Sequence, residues 1–146
     1  MPSRARVQRM DLRPLKHVSA SQISTYQRCP RKHWLEKIEG VEVPTSAGAA
    51  FGSRCHALVE ARILTGEWPQ DPEGVPVAMA GWKYVPQGTR LLVEQEMRLD
   101  DAALPIIGRI DLIAPEQSVI IDHKFLSSLR YAKTPLELQE DPQAVL

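Results

Sequence analysis

Residues 108–124 read GRIDLIAPEQSVIIDHK, preceded by Ile106 and Ile107, and their pattern decides the fold. Ile106, Gly108, Ile110 and Leu112 alternate with Ile107, Arg109, Asp111 and Ile113. Beyond APEQS, Val119, Ile121 and His123 alternate with Ile120, Asp122 and Lys124. A period of two in β-branched residues predicts the two strands of a hairpin. Bulky apolar residues on both faces predict strands buried on two sides. Charge is costly in such a place unless it is paired or bound to a metal.

The register gives those charges a meaning. A four-residue loop, Pro115 to Ser118, sets Asp111 opposite Asp122. A two-residue turn at Glu116-Gln117 gives the same register but is poor turn chemistry. Cross-strand partners share a face, with Cβ atoms roughly 5 Å apart. Lys124, two residues beyond Asp122, emerges on that face as well. A slip of one residue would break the arrangement. Two adjacent carboxylates raise each other's pKa, and a divalent cation between them removes the repulsion. Hard oxygen ligands suit Mg²⁺ or Mn²⁺. A lysine beside such an ion can orient or deprotonate a water, or neutralise a phosphate. This is equipment for metal-assisted phosphodiester hydrolysis. A hairpin with ordinary surface charges near its ends has the same spacing, because Asp-x-Lys is a common tripeptide.

IIGRIDLI, a short turn and VIIDHK together resemble the PD-(D/E)XK nuclease superfamily, in its RecB-like branch. In that family an Asp ends one strand and an Asp/Glu-x-Lys lies on the next, which matches Asp111, Asp122 and Lys124. A Gly-x-x-x-His helix upstream matches Gly52 to His56. A Gln-containing helix downstream matches Gln143. The resemblance runs from about Ser19 to the end of the chain, with the motifs in family order. It implies metal ligation by His56, Asp111, Asp122 and the backbone carbonyl of His123. It gives Lys124 the attacking water, and Gln143 the task of positioning that lysine. The implied substrate is DNA and the products carry 5′-phosphates. Phe125 departs from the small hydroxyl residue that relatives often have after the lysine.

The chain has 146 residues, enough for one domain with a core, and its 43% hydrophobic and 25% charged content is ordinary for a globular protein. No apolar run reaches membrane-span length and no signal-peptide pattern opens the chain. Two cysteines, Cys29 and Cys55, make no secreted disulfide framework, and a cytoplasmic protein is expected. Formal net charge is zero, but residues 1–37 hold nine Lys/Arg against two Asp/Glu, and the remainder nine against sixteen. A basic amino-terminal third can follow a phosphate backbone; a solvated tail and an exposed helix face have the same composition.

Residues 1–18 read as a basic arm, flexible or adding a strand, and residues 19–146 as the nuclease core. Ser19 and Gln22 fit a capping box, with Ile23 and Tyr26 pointing inward. Pro30 suits the first turn of a second helix ending at Gly40. In some members of the resembled branch a cysteine near Cys29 is the first of four iron–sulfur ligands. Two cysteines cannot supply four thiolates, so no cluster is expected in this chain and Cys29 is expected to be buried. Gly48 to Gly66 reads as an amphipathic helix with Phe51, Cys55, Leu58, Val59 and Ile63 as its apolar stripe. His56 and Glu60 share a face, and Gly52 would allow close approach to the sheet. A short helix is expected around Val77 to Tyr84, its aromatics covering the core. Thr89 to Leu99 is the first strand, and Glu94 or Glu96 can reach the metal. A helix runs from Leu136 to Leu146.

The expected fold is α/β: a restriction-endonuclease-like core with a mixed central sheet flanked by helices. It is expected to lack its carboxy-terminal part, because the family pattern continues past Gln143 to a Tyr and a further strand. The chain would then belong to a longer domain or need a partner, and would tend to self-associate. The expected function is Mg²⁺- or Mn²⁺-dependent DNA cleavage, exonuclease before endonuclease, in DNA repair, recombination or phage and defence-related processing. The alternatives are a weak or inactive nuclease-like module that binds DNA or a partner, and an unrelated phosphohydrolase of small esters.

Overall fold

The hydroxyl of Ser19 accepts a hydrogen bond from the backbone N–H of Gln22 at 3.3 Å and so caps α1 (Ala20–Arg28). The reciprocal half of the capping box is not made; the Gln22 side chain is buried, and its oxygen has no partner among the described residues. The computed structural model describes residues 15–100, 103–126, 128, 130 and 132–145. Most of the expected basic arm, residues 1–14, therefore lies outside the described part. Its last residue, Val18, forms a parallel bridge to Ile106 of the sheet.

Cys29 ends α1 and starts α2 (Pro30–His33), its Sγ accepting the Lys32 N–H at 3.4 Å. The thiol was expected to be buried but is exposed, because it serves as a cap at the corner between two helices. Tyr26 likewise points outward at 57% exposure and meets the His33 ring edge to face. Beyond α2 the helix continues as a π-turn over Trp34–Ile38, and Gly40 follows at φ 71°, where an L-residue would be strained.

The Ser46 hydroxyl caps α3 (Ala47–Thr65), and Gly66 in the left-handed region ends it. The helix buries Cys55, Leu58 and Val59, the centre of the predicted stripe. It packs against α4 (Gly74–Trp82), which starts three residues earlier than the sequence suggested. The reason is Asp71: its Oδ1 accepts the Gly74 N–H at 2.8 Å while Arg54 of α3 holds the same carboxylate. Trp68 and Trp82 meet edge to face against the core, whereas Tyr84 is exposed.

The sheet is an antiparallel meander in the order β1 (Leu92–Leu99), β2 (Ile106–Ala114), β3 (Val119–Ile121). Leu112 pairs with Ile121 and Ala114 with Val119, across a loop of Pro115 to Ser118. This is the predicted register. The third strand is shorter than expected: it stops at Ile121, because the next backbone N–H beyond Asp122, that of His123, is taken by the Asp111 carboxylate at 2.8 Å. Burial on two sides is also not realised. The core gathers Leu58, Val59, Ala78, Val85 and Leu112 on the face that carries Val93 and Ile121. Ile120, on the neighbouring row, is 63% exposed, and Met97 and Leu99 are exposed too. The helix expected over 136–146 is two pieces, α5 (Pro135–Gln139) and α6 (Pro142–Val145). Pro142 lacks an N–H and disfavours helical backbone at Asp141, so the helix must restart there.

Leu112 is 1% exposed and central to this core. Leu112→Ala should lower the unfolding free energy by about 2–5 kcal/mol, read from the midpoint of a urea titration.

Candidate metal centre

Three chain segments converge on one point. His56 lies in the middle of α3, and its Nδ1 stands 3.2 Å from Asp111 Oδ2 on β2. On β1, Val93 pairs with Leu112 and Gln95 with Ile110, so Glu94 stands opposite Asp111. Ligand atoms of His56, Glu94 and Asp111 all lie within 4.8 Å of one another. Glu94 has φ 49°, a left-handed backbone that costs a non-glycine residue on the order of 1–3 kcal/mol. That backbone sits in mid-strand, at the residue facing Asp111. The three residues line an open cleft of about 510 Å³ with Ser53, Glu60 and Arg109. Arg109 reaches Glu94 at 3.6 Å.

A second group adjoins the first. Lys124 Nζ is 2.6 Å from Asp122 Oδ2, and Gln143 Nε2 donates to Asp122 Oδ1 at 3.1 Å. Asp141 makes this possible by accepting the Gln143 N–H at 3.0 Å, and Lys133 holds its other oxygen. The short α6 is thereby fixed with Gln143 over Asp122. The residues singled out in the sequence thus fall into two clusters: His56 with Asp111, and Asp122 with Lys124 and Gln143. The backbone N–H of His123 joins them through Asp111. Its ring is buried against Gly81 of α4 and stacks on Phe125 at 5.8 Å. Phe125 also meets His56 edge to face at 5.0 Å, so the residue that departs from the resembled pattern packs both histidine rings. Gly52 is not forced by crowding, since a Cβ there would meet only the Phe125 carbonyl oxygen at 3.8 Å.

Electrostatics bind the first cluster. The hydrogen bond to Asp111 raises the His56 pKa above its ordinary 6.5, outweighing burial and the nearby Lys124 charge. Burial pushes Asp111 up, but the hydrogen bonds from His56 and the His123 N–H outweigh it and hold the carboxyl below its ordinary value. A raised histidine pKa contributes stability that is complete below 6.5 and is lost as pH rises through the folded-state value. Burial lowers His123, which acts in the opposite sense. The difference in stability between wild type and His56→Gln cancels that contribution. Without metal, the difference should grow as pH falls from weakly basic to about 6, measured by thermal unfolding.

The donor set suits a divalent cation: one imidazole and two carboxylates with ligand atoms within 4.8 Å of one another in an open cleft, where Arg109 and His56 are the carboxylates' present counter-charges. Glu94 was one of two glutamates considered from the sequence, and pairing β1 with β2 singles it out. Arg109 was missed, although it lies two residues before Asp111 and so on the same face of β2.

Comparison with known proteins adds one match. A family model described as the PD-(D/E)XK nuclease superfamily matches residues 17–77. The match includes His56 and ends before Glu94, Asp111, Asp122 and Lys124. No curated protein and no solved structure matches the chain. The α/β arrangement, an antiparallel three-stranded meander with helices packed beside it, is consistent with a restriction-endonuclease-like PD-(D/E)XK fold.

Proposed function

We propose that this chain is a metal-dependent DNA nuclease of the RecB-like kind that hydrolyses phosphodiester bonds. The observation that carries this reading is the convergence of His56, Glu94 and Asp111 beside the Asp122–Lys124 pair. These lie on segments distant in sequence, and the family match covers only the first. His56, Glu94 and Asp111 would hold Mg²⁺ or Mn²⁺, with Asp122 and the carbonyl of His123 completing the oxygen set. When bound, the ion supplies Lewis-acid stabilisation of charge on the phosphate and the leaving 3′-oxygen. Lys124 orients the attacking water, and its positive charge is available to the phosphate oxygens as negative charge builds there. Asp122 and Gln143 hold Lys124 in place, and the Arg109 guanidinium on the cleft wall is available to a phosphate oxygen. No helix among the described residues is long and apolar enough to cross a membrane. A cytoplasmic exonuclease of DNA repair, recombination or defence fits this reading.

The test is incubation of linear and circular DNA with the chain in Mg²⁺, Mn²⁺ or EDTA. Degradation of linear DNA in either metal, and none in EDTA, is expected; binding without cleavage in every condition would contradict the reading. His56 adds a prediction. Imidazole is a borderline ligand that favours Mn²⁺ over Mg²⁺. His56→Ala should narrow the ratio of Mn²⁺- to Mg²⁺-supported rates, and an unchanged ratio would remove His56 from the ligand set.

A further inference from the structure

The corner between α1 and α2 is basic and exposed. Residues 15–37 hold Lys16, Arg28, Arg31, Lys32 and Lys37 against one acidic residue, Glu36. Residues 26–32 are exposed without a break. Glu36 is taken by Lys32 at 3.6 Å, and Glu39 by the Trp34 indole N–H at 2.8 Å. Among the described residues Arg28, Arg31 and Lys37 have no ion-pair partner. Arg28 and Arg31 flank the corner beside Tyr26, which is 57% exposed and braced edge-on by His33 at 5.6 Å, and Lys37 follows on the π-turn beyond α2.

Position gives this corner a use. α1 packs against α6, and Gln143 of α6 hydrogen-bonds Asp122. α6 therefore links α1 to the Asp122–Lys124 pair. At nine residues α1 is about 13 Å long. The corner is at most that far from where α6 touches the helix.

We propose that the α1–α2 corner binds single-stranded DNA and delivers it to the metal centre, with Arg28, Arg31 and Lys37 on successive phosphates and Tyr26 stacked on a base. The inference rests on the nuclease reading for the identity of the polymer. A single strand is favoured over duplex because an exposed ring needs an unstacked base face, which a duplex does not offer. Cations alone would serve either.

Anisotropy of a labelled oligothymidylate, titrated with salt in EDTA, reads binding apart from cleavage. Each single-strand phosphate contact contributes about 0.7 to the slope of log K against log salt. Joint replacement of Arg28, Arg31 and Lys37 by alanine should lower that slope by about 2. Arg28→Lys with Arg31→Lys, which keeps the charges, should keep the slope. Tyr26→Ala should weaken binding about tenfold with the slope unchanged. The proposal is overturned if the triple alanine variant keeps its slope and affinity, if the lysine variant loses them too, or if wild type prefers duplex or RNA. Single-strand binding that shows these effects in a chain that never cuts would uphold the corner and remove the nuclease reading, so the two fail separately.

Discussion

Lys124→Ala should cut DNA about 10²–10³-fold more slowly than wild type, the range for loss of one preorganised charge-stabilising donor at the reacting centre. Metal affinity and DNA affinity should change little. The expectation follows from where the side chain lies. Lys124 Nζ rests on Asp122 Oδ2 at 2.6 Å and is half-exposed, so its removal opens no buried cavity. It leaves Asp122 still held by Gln143. A rate loss with binding intact belongs to an interaction made in the transition state. Single-turnover cleavage set against calorimetric metal binding separates the two. A variant that cuts at near wild-type rate would take lysine out of the mechanism.

Asp111→Asn should have an effect at least as large, by a different route. Among the described residues Asp111 is the one carboxylate that touches both His56 and the His123 backbone. An asparagine oxygen can still accept the His123 N–H, so the link between β2 and the residues after β3 persists. The negative charge that would hold a cation is gone, and a hard divalent ion has little affinity for a neutral amide in its place. Cleavage should fall to background together with Mn²⁺ affinity, while the thermal transition stays cooperative. Tight Mn²⁺ binding by this variant would move the ion away from Asp111.

Much of this arrangement was legible in the residues. Alternation from Ile106 to Ile113 and from Val119 to Ile121, with Pro115 in the connection, set the hairpin and its register, because side-chain period and loop length leave few alternatives. The stripe on α3 and its ends at Ser46 and Gly66 were legible for the same local reason. What escaped depends on contacts remote in sequence. The early end of β3 follows from the Asp111 carboxylate capturing the His123 N–H, which no period reveals. The break in the terminal helix is by contrast local, because Pro142 disfavours helical backbone at Asp141. Exposure of Ile120 and of Tyr26 depends on which faces the helices cover, and apolar composition does not decide that. Glu94 enters the site through its place between the paired Val93 and Gln95, which sets it opposite Asp111 and is not visible before the strands are aligned.

The central claim is a divalent-ion site made by His56, Glu94 and Asp111. Its most direct test is anomalous scattering from crystals of the wild-type chain soaked in Mn²⁺. The account predicts one dominant peak within ligand distance of His56 and Asp111, about 2.0–2.3 Å, and no such peak in Asp111→Asn. A peak elsewhere in the chain, or none at these residues at saturating Mn²⁺, would contradict it.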